Sequence, residues 1–201
     1  MIIFLTLITE SEIIKSAQKG SVSAFNKLLM TYQGLAFNIA YRIMGDDEAA
    51  ADATQDGFIK VFKSLKQYRG GSFKSWFTRI VINTCYDHLR YEKRRPSEPL
   101  ESDKFEHNHA SRLVESKESP EKLMERHELQ DMLQESISKL PENQRIVLVL
   151  SDVEGFNYKE IAEITNVQLG TVKSRLNRAR NKLKRILIHK ELLPAKYRSQ
   201  E

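Results

Sequence analysis

A chain of 201 residues has room for one or two small domains, and its net charge of +5 makes it only mildly basic. Its single cysteine, Cys85, excludes an intramolecular disulfide and fits a reducing compartment. The apolar start MIIFLTLI is too short to span a bilayer and lacks the basic flank and small-residue cleavage site of a signal peptide, so a soluble, cytoplasmic protein without stable membrane insertion is expected.

Helix signals dominate from the first residues onward. Thr9 with Glu12 forms a capping box, and the short helix that follows stops at Gly20. Ser21 caps a longer helix through Phe25, Leu28, Leu29, Tyr32, Leu35, Ile39 and Ile43, which Gly45 ends. Asp46 or Asp47 caps the next, whose apolar side is read as Ala49 to Ala51 with Phe58, Ile59, Phe62 and Leu65. Gly70 and Gly71 break the chain, and a further helix runs from about Phe73 to Arg95, where Pro96 stops it. Residues 96–118 show no sustained periodicity and read as an acidic, mobile linker. Helices resume with Ser119 as cap and Pro120 in the first turn, with Leu123, Met132, Leu133, Ile137 and Leu140 as the core side. Pro141 opens the next helix, carrying Ile146, Val147, Val149 and Leu150. The pattern predicts an all-α protein: two small helical domains, 1–95 and 119–201, joined by a flexible linker over 96–118.

The end of the chain predicts a helix-turn-helix. Asn157 with Glu160 caps a short helix over 158–165, Asn166 tolerates the left-handed turn, and 170–187 forms the second, recognition helix. Val172, Leu176, Ala179 and Leu183 recur at helical spacing as its buried stripe. Its other face carries Thr171, Lys173, Ser174, Arg175, Asn177 and Arg178, side chains that grip phosphates and read base edges in the major groove.

Charge is unevenly placed. Residues 60–95 hold ten Lys or Arg against two acids, and 171–198 hold ten against one, while 96–130 hold nine acids and five bases. Two basic footprints around an acidic middle suggest two contacts with a polyanion. In the first block aromatics alternate with bases, among them Phe73, Trp76, Phe77, Tyr86 and Tyr91. Arg79, Asn83, Asp87, Arg90 and Arg94 fall along one polar stripe, while Phe77, Val81, Cys85 and Leu89 point to a core. Positive charge with aromatic faces suits a single strand, although aromatics at helical spacing also build cores.

Asp52 and Asp56 share a helical face, as metal-binding or acid–base carboxylates would, but no third ligand stands at matching spacing. Cys85 with His88 supplies only two ligands, short of a zinc site. Neither catalysis nor a metal, cofactor or small-molecule substrate is expected.

DATQDGFIKVFKSL at 52–65, FKSWFTRIVINTCYDHLR at 73–90, and LPENQRIVLVL followed by YKEIAEITNVQLGTVKSRLNRARNKL within 140–183 resemble, in the same order, regions two and four of bacterial RNA polymerase sigma factors. With only these two regions and a short linker, the chain resembles the extracytoplasmic-function group. The resemblance implies a subunit that joins core RNA polymerase and directs initiation at particular promoters. It makes Asp52, Gln55, Asp56 and Phe58 contacts to the clamp helices of the largest catalytic subunit. It assigns Trp76, Arg79, Asn83, Arg90 and Arg94 to the minus-ten element held as a single strand, with a flipped base near the loop over 68–72. Thr171, Lys173, Ser174, Arg175, Asn177 and Arg178 would read the minus-thirty-five element as duplex. The linker would thread the polymerase channel toward RNA exit, and an anti-sigma factor is the expected inhibitory partner. Two positions depart from the pattern: Gly57 stands where Ala is usual, and Gln168 occupies the cap position of the recognition helix. Two other functions fit parts of the chain: a regulator binding duplex operators without polymerase, and a metal-dependent hydrolase built on Asp52 and Asp56.

Overall fold

A computed structural model describes residues 9–94 and 119–189, and all the regular structure among them is helical. The Met1 to Ile8 segment, Arg95 and the expected linker lie outside the described residues.

Thr9 opens α1 (Glu10–Gln18) through the expected capping box: the Glu12 amide donates to its hydroxyl at 3.4 Å, and the Thr9 amide donates to the Glu12 carboxylate at 2.8 Å. Ser21 caps α2 (Val22–Met44) by accepting from the Ala24 amide at 3.2 Å, and Gly45 ends it with φ 84°, a left-handed conformation natural to glycine. Leu28, Tyr32, Ala36, Ile39 and Ile43, three or four apart, form its buried row. Asp46, rather than Asp47, caps α3 (Asp47–Ser64), accepting from the Ala49 amide at 2.7 Å. A single 3-10 turn, Leu65–Gln67, leads through the Gly70 and Gly71 loop into α4 (Phe73–Arg94).

The face of α3 differs from the sequence expectation. Ala50, Ala53, Gly57 and Val61 are the buried row, whereas Ala51 is exposed, Phe58 is half-buried, and Ile59 and Phe62 are 43% and 57% exposed. Two apolar rows run along this helix, one of small residues and one of large. The small row faces inward because it lets backbones approach: a Cβ on Gly57 would stand 3.5 Å from Val81 Cγ2 of α4. The large row lies nearer the surface, where Phe58 packs against Phe77 at 5.3 Å and Phe62 edge-on against Phe25 at 5.0 Å.

The second half comprises α5 (Pro120–Ser138), α6 (Glu142–Leu148), a π-helical turn (Val149–Val153), α7 (Tyr158–Thr165) and α8 (Leu169–His189). Ile137, Leu140, Ile146, Val147, Val149, Leu150, Ile161, Ile164, Val172, Leu176 and Ala179 are buried together. Met132, expected in that core, is 38% exposed. Asn157 accepts from the Lys159 and Glu160 amides at 3.0 Å, and Asn166 takes the predicted left-handed turn at φ 52°.

The two helical halves touch along a polar seam. Arg145, which is buried, donates to the carbonyls of Ser138 and Leu140 on its own side and of Ile43 at the end of α2. Gln134 of α5 donates to the Tyr41 carbonyl at 3.2 Å and accepts from Arg42 Nη1 at 2.9 Å. The guanidinium thus satisfies the Ile43 carbonyl left open at a helix C-terminus, which would otherwise be costly to bury, and the Gln134 amide adds a second donor to the Tyr41 carbonyl, which already accepts from the Gly45 amide at 2.8 Å.

Candidate nucleic-acid interface

The loop leading into α4 is built from aromatic contacts and short hydrogen bonds. Ser72 caps α4, its hydroxyl accepting from the Ser75 amide at 3.2 Å, and the Tyr68 hydroxyl donates to the Gly71 carbonyl at 2.7 Å. Gln18 of α1 holds the loop from behind, donating to the carbonyls of Leu65 at 3.0 Å and Tyr68 at 2.8 Å. Gly70 and Gly71 make the bend with φ 109° and 92°. Between α1 and this loop lies a cleft of about 390 Å³, lined by residues including Glu10, Ile14, Tyr68 and Phe73. Trp76, the only tryptophan, packs at its side with ring centroids 5.2 Å from Tyr68 and 5.5 Å from Phe73.

Along α4 the expected division of faces is present. Phe77, Val81 and Cys85 are buried and Leu89 is partly so, while Arg79, Asn83, Arg90 and Arg94 are exposed. Asp87, in the same stripe, is held by Lys60 at 2.9 Å. The aromatics of this stretch do not act as one platform. Phe73 and Phe77 belong to the core, against Tyr32 at 5.4 and 5.0 Å, whereas Trp76 and Tyr86 are half-buried and Tyr91 is exposed.

The residues expected to dock on polymerase separate. Gln55 and Phe58 line an open groove of about 580 Å³ between α2 and α3, together with Leu29, Phe37 and Asn38. Asp52 is exposed one turn before Gln55, but Asp56 turns toward α4 and pairs with His88 at 2.9 Å. Sequence reasoning missed Leu29, Phe37, Ile59 and Phe62 as surface residues. The available signal was that α3 carries two apolar rows, of which only one can be covered.

In the helix-turn-helix, α8 starts one residue earlier and runs two further than expected. The Val172 amide donates to the Gln168 carbonyl at 3.1 Å, so Gln168 does stand at the cap. Lys173, Ser174, Asn177 and Arg178 are exposed, and Thr171 and Arg175 are half-buried. Arg180 fixes the helix from its other side with a bidentate pair to Asp152, Nε to Oδ2 at 2.8 Å and Nη2 to Oδ1 at 2.6 Å. This pairing holds the Asp152 carboxyl below the usual carboxylate range.

An all-helical chain that joins an aromatic, basic helix to a helix-turn-helix has the make-up of a DNA-binding transcription factor. Residues 28–95 match the family model for sigma-70 region 2, and residues 130–183 that for sigma-70 region 4. The chain is 35% identical over 188 residues to the RNA polymerase sigma-H factor of Pseudomonas aeruginosa, covering 91% of this chain and 96% of that protein. It is 34% identical over 178 residues to the ECF RNA polymerase sigma-E factor of Escherichia coli K12, covering 86% and 91%. Its fold is similar to that of the sigma factor RpoE in complex with the anti-sigma factor NepR from Bartonella quintana, with TM-score 0.64 and 25% identity over 83% of this chain and 98% of that one. The protein belongs to the sigma-70 family, in its extracytoplasmic-function group, whose members bind core RNA polymerase and direct promoter-dependent initiation. Among the described residues no helix is long and apolar enough to cross a membrane.

Proposed function

We propose that this sigma factor reads a promoter at two places and in two forms. The outward face of α8, with exposed Lys173, Ser174, Asn177 and Arg178 and half-buried Thr171 and Arg175, reads the minus-thirty-five element as duplex in the major groove. The α4 stripe of Arg79, Asn83, Arg90 and Arg94, with Trp76 beside the Gly70 and Gly71 loop, holds the minus-ten element as a single strand. The groove of Gln55, Phe58, Leu29 and Phe37 takes the clamp helices of polymerase. Residues 1–95 and 119–201 act as the two reading units. Strand separation is driven by the free energy of binding the opened strand rather than by chemistry of the sigma factor's own.

The observation that carries this reading is that one chain presents two basic, hydrogen-bonding helix faces whose opposite sides are buried in separate parts of the core. An anti-sigma protein is the expected inhibitory partner, as the RpoE–NepR complex supports by analogy. The test is transcription by core polymerase with the purified protein on promoters identified from transcript starts after overexpression. Start-site selection above core enzyme alone is expected, with permanganate-reactive thymines at the minus-ten element. Arg79→Ala and Asn83→Ala should remove that reactivity while leaving duplex binding upstream. Loss of neither would overturn the single-strand assignment.

A further inference from the structure

Two glycines lie inside the long helices of the N-terminal half, and only one has a reason within the described chain. A Cβ on Gly57 of α3 would stand 3.5 Å from Val81 Cγ2, so that glycine sits at a close helix contact. Gly34, in the middle of α2, is exposed, and no side chain or other segment among the described residues comes within 4 Å of where its Cβ would be. Its φ is not positive, so no turn calls for glycine there either. A glycine inside a helix lowers the ratio of folded to unfolded protein about fivefold relative to alanine. At Gly34 nothing in the free chain offsets that loss.

Gly34 opens onto the groove of about 580 Å³ between α2 and α3. Phe37 stacks on Tyr41 with ring centroids 6.3 Å apart and Phe58 packs against Phe77 at 5.3 Å, so both large side chains of the groove are held. Gly34 and Ala51 are exposed beside them, and the amides of Gln33 and Gln55 are exposed around them. No residue lining the groove is charged, in a chain of which 29% is, so its complement is an uncharged surface. The backbone groups of α2 and α3 are engaged within their own helices, which leaves no edge for a strand to pair with. From Leu29 to Asn38 the lining extends about 14 Å along α2, the length of two to three turns of a second helix.

We infer that Gly34 is the point of closest approach of a core polymerase helix, which crosses α2 with an uncharged face where Gly34 and Ala51 leave the backbone bare. The inference rests on the assignment of this groove to polymerase made above, and adds to it the position and character of the crossing. Helix axes approach to about 8 Å only where the side chains between them are small. The sigma factor gives up folding stability at Gly34 and recovers it as contact area in the holoenzyme.

Urea unfolding of the full chain and its affinity for core polymerase, read by competition against fluorescently labelled wild type, should then move in opposite directions. Gly34→Ala and Gly34→Leu should each raise the ratio of folded to unfolded protein about fourfold. Affinity for core should fall about threefold with Gly34→Ala and more than tenfold with Gly34→Leu, in order of side-chain size. Gln55→Arg, which brings a charge to the groove without touching Gly34, should lower affinity about tenfold and so tests the groove by itself. Weakened binding by Gln55→Arg beside wild-type binding by Gly34→Leu would keep polymerase in the groove and overturn the close approach at Gly34. Wild-type binding by both would sink the groove assignment and the inference with it. Lower stability of Gly34→Ala would show that the glycine serves the chain's own fold, and overturns the inference too.

Discussion

Arg180 and Asp152 form a two-point ion pair that ties the middle of the recognition helix to the π-helical turn 28 residues earlier. It adds a charged tie to the apolar contact that Val172, Leu176 and Ala179 make from the buried side of α8. Because Arg180 holds the Asp152 carboxyl below its usual 3.8, the stability from this pair is present above that value and is lost as pH falls through the lower folded-state value. Asp152→Asn should flatten the acid limb of the thermal midpoint between about pH 2 and 5. At neutral pH, where the half-exposed pair is screened by solvent, it should cost about 1 kcal/mol or less. A midpoint that falls with acid equally in both proteins would contradict this.

Gly57 departs from the residue usual at its position, and the structure gives the consequence. A Cβ there would meet Val81 at ordinary contact distance, so Ala fits without displacement. Gly57→Ala should raise stability by about 0.5–1 kcal/mol through helix propensity, read from urea unfolding at unchanged m-value. Destabilisation would mean that α3 and α4 sit closer than described.

On the outward row of α3, Ile59→Ser should change folding stability by no more than about 0.5 kcal/mol, as expected for a surface position. Affinity for core polymerase should drop by about 1–2 kcal/mol if the row joins the interface. Equal affinity would confine docking to the groove of Gln55 and Phe58.

Arg178 is exposed on the face of α8 that we propose reads the upstream element. Arg178→Ala should cost about 1–3 kcal/mol on the preferred upstream sequence and relax discrimination at one base pair, if the guanidinium reads a base edge. A uniform loss across all sequences, with a shallower salt dependence, would mark it as a phosphate contact.

Cys85 is fully buried, and burial pushes its thiol up to about 12. Thiol reagents should modify it only when the N-terminal core opens, so the labelling rate should climb with urea in step with unfolding. Rapid labelling of the native protein would contradict the packing around α4.

Most of the fold was legible in the sequence because caps and periodicity are local. Thr9, Ser21, Asn157 and the left-handed Asn166 each act within a few residues of themselves, and each stands where it was expected. The outward face of α3 was not legible, since Ile59 and Phe62 have the chemistry of core residues, and it is the row of Ala50, Ala53, Gly57 and Val61 that is buried instead. The exposed polar rows of α4 and α8 could be located from spacing. The approach of Glu142 to Lys93, and of Glu163 to the cleft beside Arg79, could not, because contacts between distant segments leave no periodic trace.

The row of Ile59 and Phe62 also bears on abundance. Large apolar side chains left in water lower the solubility of every copy not held by something else. The quantity that persists in a cell is then tied to the supply of surfaces that cover the row. Protein made beyond that supply is expected to aggregate or be degraded rather than to yield more initiating enzyme.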